Sequence, residues 1–173
     1  MPKFAAVALA ATLTAVSFAA AAAPSPSECR KTKAVNFHGT IVDAAIATPT
    51  LSTLTSLLVA ANLVEALSAP GNLTVYAPTN DAFAKIPGPV FAAIGGDINV
   101  LTSVLTYHVA DGDADPRLKD KREVHTLQGQ TVLSGYGKGV GPMTNQSVAD
   151  CTAVKTTNGT VWIIDSVMFP QFR

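Results

Sequence analysis

Apolar residues recur at helical spacing through the first half of the chain. Behind Thr48-Pro49, a capping hydroxyl followed by a first-turn proline, the spacing predicts one helix that continues to a stop at residues 69–71. Shorter helices are predicted over "GTIVDAAIA" and over "TNDAFAKI", which ends at a Pro-Gly-Pro sequence. A second amphipathic helix, "DINVLTSVLTYHV", begins at Asp97, and its apolar face comprises Ile98, Leu101, Val104, Leu105 and His108.

The pattern changes to a period of two in the second half, which predicts strands. A first strand at residues 73–77 already lies among the helices. "EVHTLQGQTVLSG" predicts two strands around Gln128-Gly129, and "CTAVKTTNGTVWIIDSVMF" predicts a hairpin with a two-residue Asn158-Gly159 turn. In its second strand Val161 and Ile163 are expected on one face, and Trp162 and Ile164 on the other. Helices followed by strands indicate an α+β fold.

The N-terminal residues differ from the rest of the chain. Residues 1–23 combine one early cation, Lys3, with an apolar run and Ala-rich cleavage sites, the layout of a secretory signal peptide. Cleavage is expected between Ala19 and Ala23, and an uncleaved anchor is the alternative. Residues 24–35 are then a polar linker and residues 36–171 a single domain. Because no second long apolar run follows, we expect no membrane insertion after signal cleavage.

The charge balance argues against one class of function, and the two cysteines predict a covalent link. The chain has 12 Lys and Arg against 12 Asp and Glu, and loss of Lys3 with the leader leaves a net charge of −1. This balance lacks the basic footprint of a nucleic-acid binder, so no nucleic-acid partner is expected. Cys29 and Cys151 predict one disulfide in an oxidising compartment. The alternatives are two unpaired thiols, or a Cys29 that pairs with a second chain.

Three sequence blocks resemble the fasciclin domain family: "NLTVYAPTNDAF", "VLTYHVADG" at residues 104–112, and "TTNGTVWIIDSVMFP" at residues 156–170. The resemblance covers about residues 36–170. It implies a compact wedge of β-sheet with helices packed over one side. It also implies a secreted or surface-displayed protein associated with cell adhesion and matrix contacts. Some family members place an Asp-Ile pair before the "TNG" turn, where this chain has Ala153 and Val154.

Two polar motifs are candidate sites. Thr79, Asn80 and Asp81 follow a strand and could be either reactive groups or structural caps. We favour capping, because short polar side chains satisfy the free amides of a helix start and no nucleophile–base pair is apparent beside them. The family resemblance implies a partner contact at Tyr107 and His108. The alternative is that His108, which shares a helix face with Leu101 and Leu105, turns inward and binds nearby backbone.

The chain also contains candidate modification and metal sites. Asn72, Asn145 and Asn158 begin sequons and are predicted glycosylation sites in a eukaryotic secretory pathway. Residues 111–116 space carboxylates like a calcium loop, but Pro116 replaces the required Gly and Arg122 the final bidentate Glu. No metal or other cofactor is therefore predicted. The chain also lacks the common hydrolase, metalloprotease and nucleotide-binding motifs.

These observations predict a secreted, non-catalytic binding module for cell adhesion or extracellular matrix contact. Its expected partner is a cell-surface or matrix protein or glycan, with weak self-association as a further expectation. In a bacterium the location would be periplasmic or on the surface. The alternative is a small-ligand carrier or a hydrolase that uses a pocket near His108, and a purely structural matrix component is a third hypothesis. An apolar pocket with converging polar groups at His108 would favour the alternative, whereas a filled core there would favour the binding module.

Overall fold

The computed structural model describes residues 25–172, so the predicted signal peptide at residues 1–23 lies outside the described residues. Short helices dominate the first half of this range, and strands dominate the second. The helices are α1 Pro26–Lys31, α2 Ile41–Ile46, α3 Ser52–Ala60, α4 Val64–Ser68, α5 Asn80–Ala84, α6 Gly88–Gly96 and α7 Ile98–Tyr107, with a 3-10 turn at Pro49–Leu51. The strands are β1 Val35–Asn36, β2 Leu73–Pro78, β3 Val109–Asp111, β4 Arg122–His125, β5 Thr131–Gly137, β6 Gly141–Thr144, β7 Ser147–Lys155 and β8 Gly159–Ile164.

The strands form one mixed sheet in the order β3-β2-β8-β7-β6-β5-β4, and β1 pairs with β7 outside this path. β2 runs parallel to β8, and β1 parallel to β7, while the other pairs are antiparallel. The two ends of the sheet meet at a bridge between Ala110 and Thr126, beside a 2.8 Å bond from the Leu127 amide to the Val109 carbonyl. A nearly closed mixed sheet with accompanying helices confirms the α+β prediction.

The alternation of side chains along the central strands creates two cores. On one face, Val75 and Val161 pack with the buried residues of the helices, including Leu54 and Leu101. On the other face, Tyr76 and Trp162 fill the interior of the curved sheet, together with Tyr107, Val132, Ile164 and Met168. Val161 and Trp162 therefore point to opposite faces, as their sequence alternation predicts.

Several predicted boundaries are wrong, for local reasons. The helix predicted from Pro49 to residue 68 is two helices, because Asn62 adopts a left-handed conformation with φ 55°. α5 ends at Ala84, before the Pro-Gly-Pro sequence, and that sequence starts α6, since Pro89 fits the first turn of a helix. Ile98 is 49% exposed and does not join the buried face of α7. The hairpin before β8 is not a two-residue turn, because Lys155 pairs with Thr160 across four intervening residues.

The predicted linker at residues 24–35 packs on the domain in its described part. α1 has a capping box, in which the Ser25 hydroxyl accepts from the Glu28 amide and the Glu28 carboxylate accepts from the Ser25 amide. β1 adds to the sheet beside β7. A disulfide joins Cys29 to Cys151 across a sequence separation of 122, with the Cα atoms 5.0 Å apart, which confirms the predicted pairing. The folded unit therefore begins before residue 36.

Apolar helices of the described chain are short. Among residues 25–172 no single helix is both long and apolar enough to cross a membrane. α6 and α7 together meet the same criteria of length and composition as a pair bent by 104°.

Candidate functional site

Tyr107 and His108 are adjacent in the chain but lie in different cores. Tyr107 ends α7 and enters the interior of the curved sheet, where it is 5% exposed. Its hydroxyl donates to the Thr131 carbonyl at 3.2 Å and accepts from Nδ2 of Asn145 at 3.0 Å. Tyr107 thus connects the end of α7 to β5 and to the turn between β6 and β7.

His108 faces the helical core and connects α7 to the C-terminal segment. Its Nδ1 lies 2.8 Å from the Val104 carbonyl, and its Nε2 accepts from the Met168 amide at 2.9 Å. Because the Val104 carbonyl can only accept, Nδ1 carries the proton and the ring is the neutral tautomer. Burial disfavours the charged ring and lowers the pKa of His108 to about 4, although the bond to Val104 acts in the opposite direction.

These contacts decide between the two interpretations of the Tyr-His pair. His108 is 3% exposed and both of its ring nitrogens bind backbone, as the inward interpretation predicts. Direct partner contact through the His108 side chain is wrong for this structure, since the ring is buried and both of its nitrogens are bonded. Tyr107 is also largely buried, but it borders a surface groove, so partner contact at Tyr107 stays a prediction. The helix face shared with Leu101 and Leu105 was the signal that indicated the inward orientation of His108.

The space beside His108 is closed. The cavity there has a volume of about 10 Å³, about the space that a single water molecule needs. Its lining consists of apolar side chains apart from His108, including Leu54, Phe83, Phe91, Val104 and Phe169. A filled apolar core therefore occupies the place where the alternative hypothesis requires a ligand pocket.

The Thr79-Asn80-Asp81 motif is part of the helix framework. The Thr79 hydroxyl accepts from the Ala82 amide at 3.1 Å and caps α5. Asn80 does not bond the amides of its own helix, which corrects the prediction for this residue. Its Oδ1 accepts from the Thr53 amide at 2.9 Å and its Nδ2 donates to the Pro49 carbonyl at 3.2 Å, so it fixes the start of α3. Asp81 lies exposed in the first turn of α5.

The three sequon asparagines have different environments. Asn158 is 2% exposed, and its Nδ2 donates to the carbonyls of Leu67 and Ala69 at 2.8 and 3.0 Å. Its Oδ1 accepts from the Ile41 amide at 2.9 Å. A glycan on Nδ2 is incompatible with these contacts, so the prediction of glycosylation at Asn158 is wrong for the folded chain.

The other two sequons are more open. The Asn145 side chain is partly buried, and it accepts from the Leu133 amide at 2.8 Å while it donates to Tyr107. Asn72 is exposed, and its side chain makes none of the hydrogen bonds found among residues 25–172. Of the three side chains, that of Asn72 is therefore the one whose geometry leaves room for a glycan.

On the described part of the chain, two shallow surface grooves border residues that the sequence analysis singled out. The first, which we call the Gln130 groove, has a volume of about 510 Å³ and is lined by Tyr107, Gly129, Gln130, Thr131 and Gln171. A reciprocal pair of bonds shapes it: the Gln130 side chain donates to the Gln171 carbonyl at 2.8 Å and accepts from the Gln171 amide at 2.9 Å. No sequence signal indicated this pair, because its two residues are 41 positions apart.

The second, which we call the Asp150 groove, has a volume of about 480 Å³ between β7, β8 and the start of α5. Asp165 accepts from the Val148 amide at 2.9 Å and lies 3.6 Å from the Lys85 ammonium. Partial burial raises the pKa of Asp150. Within residues 25–172 no group of three or more His, Cys, Asp and Glu side chains is arranged to hold a metal ion, and Asp115 of the calcium-like stretch pairs with Arg117.

A nearly closed mixed sheet, covered by helices and joined to its N-terminal helix by one disulfide, defines an α+β domain of the wedge type. The chain belongs to the fasciclin domain family, whose model matches residues 49–170. A solved FAS1 domain pair from the insect cell adhesion molecule fasciclin I has the same fold, with a TM-score of 0.57 at 13% identity over 76% of this chain and 51% of that chain. The resemblance and the fold predicted from the sequence are both confirmed.

The relatives include bacterial cell-surface proteins. The chain is 41% identical over 135 residues to the cell surface glycolipoprotein MPB83 of Mycobacterium bovis, a match that covers 75% of this chain and 60% of that protein. It is 40% identical to the immunogenic protein MPB70 of the same species, over 70% of this chain and 64% of that protein. It is 37% identical to the protein sll1483 of Synechocystis, over 76% and 73%. The chain thus spans less than two thirds of the length of the two mycobacterial proteins.

Proposed function

We propose that this protein is a secreted or surface-displayed, non-catalytic binding module that acts in cell adhesion or matrix organisation. Its partner is a cell-surface or matrix protein or glycan, and the contact surface is the Gln130 groove. One observation supports this proposal above the others. The interior beside His108 is closed to about 10 Å³, whereas the surface next to Tyr107 opens into a shallow groove of about 510 Å³.

A shallow groove suits a macromolecular partner better than a small ligand. Small-molecule sites are concave, mostly apolar and bury most of the ligand. The Gln130 groove instead presents the Gln130 amide, the Thr131 side chain and backbone groups of a β-turn. Leu127, 48% exposed, and Phe172, 58% exposed, lie within two residues of the lining residues Gly129 and Gln171 in the sequence, so we expect them to add apolar contact area. Polar groups beside exposed apolar side chains are typical of protein contact surfaces.

The groove is supported from beneath by the family's Tyr-His motif. Tyr107 lines its floor and holds the Thr131 carbonyl, while the Gln130–Gln171 pair fixes the C-terminal segment along its side. His108 holds the same segment at Met168. The Tyr-His motif therefore determines the shape of the groove, and the His108 side chain does not contact the partner. A carrier or hydrolase at His108 has no comparable support, because both ring nitrogens are occupied.

Cell retention under flow tests the proposal. Microspheres coated with the full secreted chain would be placed over intact cells of the source organism and over the matrix these cells deposit. Thr131→Arg introduces a bulky cation at an exposed groove position and leaves the backbone bond to Tyr107 in place. Ser56→Arg introduces the same side chain at an exposed position of α3 in the helical layer. Each variant would first be compared with the parent protein by thermal unfolding.

We expect retention of the parent and of Ser56→Arg, and loss of retention with Thr131→Arg to the level of uncoated microspheres. Equal retention of both variants would refute the placement of the contact in the Gln130 groove. Parent microspheres that are retained no better than uncoated ones on either surface would refute the adhesion function itself.

A further inference from the structure

Two basic segments of the chain meet at Cys151. The first is residues 30–33, "RKTK", which follow Cys29 and are held near the sheet by the Cys29–Cys151 disulfide. The second is residues 117–122, "RLKDKR", which end the connection between β3 and β4 and include Arg122, the first residue of β4. Nη1 of Arg117 donates to the Cys151 carbonyl at 3.3 Å and to the Thr32 carbonyl at 3.1 Å. A single guanidinium therefore joins both segments to the same point of β7.

Arg117 is fixed in this position from several sides. The Asp115 carboxylate accepts from its Nε and Nη2, with the shortest distance 2.8 Å. The guanidinium carbon lies 4.7 Å from the centre of the Trp162 ring, a cation–π contact. The Leu118 carbonyl accepts from the Tyr136 amide at 2.7 Å, which binds the rest of the segment to β5. Because these contacts use the guanidinium group of Arg117, that group is not available to a partner. Its role is to hold the two segments in position.

The remaining cations of the two segments are available. Their side chains are exposed and take part in none of the ion pairs found among residues 25–172, which join Lys85 to Asp165 and Arg117 to Asp115. We call this set the basic strip; it consists of Arg30, Lys31, Lys33, Lys119, Lys121 and Arg122. The whole chain has 12 Lys and Arg residues and 12 Asp and Glu residues. The positive charge of the basic strip is therefore a local feature of the surface and does not reflect the net charge of the chain.

We propose that the basic strip binds an anionic polysaccharide, a chain that bears sulfate or carboxylate groups. The inference goes beyond the Gln130 groove and does not rest on it, because the strip lies at the Arg122 end of β4 and the groove at the His125 end, beside Thr131. A second surface of different chemistry allows one domain to contact two partners at once. The disulfide and the Arg117 contacts arrange the cations before binding, which lowers the entropic cost of association.

The acidic residues among the cations favour a polysaccharide over a lipid surface. Asp120 and Glu123 are exposed within or beside the second segment, and Glu28 lies in α1. A flat anionic membrane responds to the summed charge near it, so these carboxylates weaken the attraction. A narrow polymer can follow the cations individually and avoid the carboxylates. Exposed cation–anion contacts of this kind are screened by salt.

The test measures the affinity of the full secreted chain for two probes, heparin oligosaccharide and polygalacturonate oligomer, by isothermal titration at low and at high NaCl concentration. Lys31→Gln and Lys121→Gln remove one cation from each segment. Lys85→Gln is the control, since it removes one exposed positive charge outside the strip, at the C-cap of α5, where Lys85 pairs with Asp165. All three positions are exposed, so each variant is expected to fold, which intrinsic fluorescence of Trp162 would check.

We expect at least one probe to bind, and each strip variant to weaken it about 5-fold, as for one exposed ion pair. The double variant should weaken it about 25-fold, the control should stay within about 2-fold, and salt should abolish binding. Failure of both probes to bind at low salt would overturn the proposal, and so would an equal effect of Lys85→Gln. A loss confined to one segment would overturn the joint site. Binding to phosphatidylserine vesicles with higher affinity than to either probe would assign the strip to a membrane surface instead.

Discussion

Protonation of His108 should destabilise the fold as the pH falls. The ring is neutral and fully bonded in the folded chain, and burial lowers its pKa from an ordinary 6.5 to about 4. Between these two values the unfolded chain binds a proton that the folded chain does not, so stability rises with pH. The stabilisation is fully present above pH 6.5 and is lost as the pH falls toward 4. Below that pH the His108 contribution levels off.

The magnitude follows from the difference between the two pKa values. A shift of one unit corresponds to about 1.4 kcal/mol, so His108 should account for a loss of about 3 kcal/mol across this range. Protonation would also convert Nε2 from an acceptor to a donor and break its bond to the Met168 amide. The apolar lining of the adjacent cavity offers no carboxylate to stabilise the charged ring.

Urea unfolding, followed by fluorescence of the single Trp162, measures this effect at intervals between pH 7 and pH 4. His108→Gln keeps a donor and an acceptor but cannot titrate, so its stability should vary less with pH than that of the parent by about 3 kcal/mol. His125→Gln, at an exposed position, is the control and should follow the parent. Parallel profiles for the parent and His108→Gln would refute the reasoning. So would an NMR titration in which the pKa of the His108 ring in the folded chain is its ordinary value of 6.5.

Three further predictions concern stability. Asn158→Ala should lower the free energy of unfolding by about 3 kcal/mol, because it removes a fully bonded buried amide. Asn72→Ala, at an exposed position, should change it by less than about 0.5 kcal/mol. Equal effects of the two substitutions in urea unfolding would contradict this prediction. Tyr107→Phe should cost about 1–2 kcal/mol through loss of two hydrogen bonds, and an unchanged melting temperature would count against it. Reduction of Cys29–Cys151 should lower stability by up to about 5 kcal/mol, measured by denaturation with and without reductant; identical curves would show that the disulfide constrains nothing.

The features that were best predicted from the sequence are those that depend on residues close together in the chain. The Thr79 cap and the alternation of Val161 and Trp162 follow from contacts within a few positions, where spacing alone carries the information. The disulfide was predictable because only two cysteines are present. His108 was predictable in part, since its helix face is apolar, but the bond to Met168 was not.

Features that depend on distant residues escaped prediction. Asn158 stands before a glycine and resembles a turn residue and a sequon, yet its amide binds groups 117 and 91 positions away in the chain. Asn80 looks like a helix cap but bonds the start of another helix. The Gln130–Gln171 pair has no local signature at all. A polar side chain that satisfies remote backbone has the same sequence neighbourhood as one that faces water, so the pattern cannot separate them.

In the proposed complex the partner contacts the Gln130 groove rather than the helical layer or the core beside His108. Photo-crosslinking can locate this contact. A benzoyl-phenylalanine side chain would be placed at Thr131 in the groove, or at exposed Val59 on α3, and the protein would be irradiated while bound to intact cells of the source organism. The proposal predicts discrete, high-mass adducts from position 131 and none from position 59. Adducts from position 59 alone, or from neither position although the protein is retained on the cells, would contradict it.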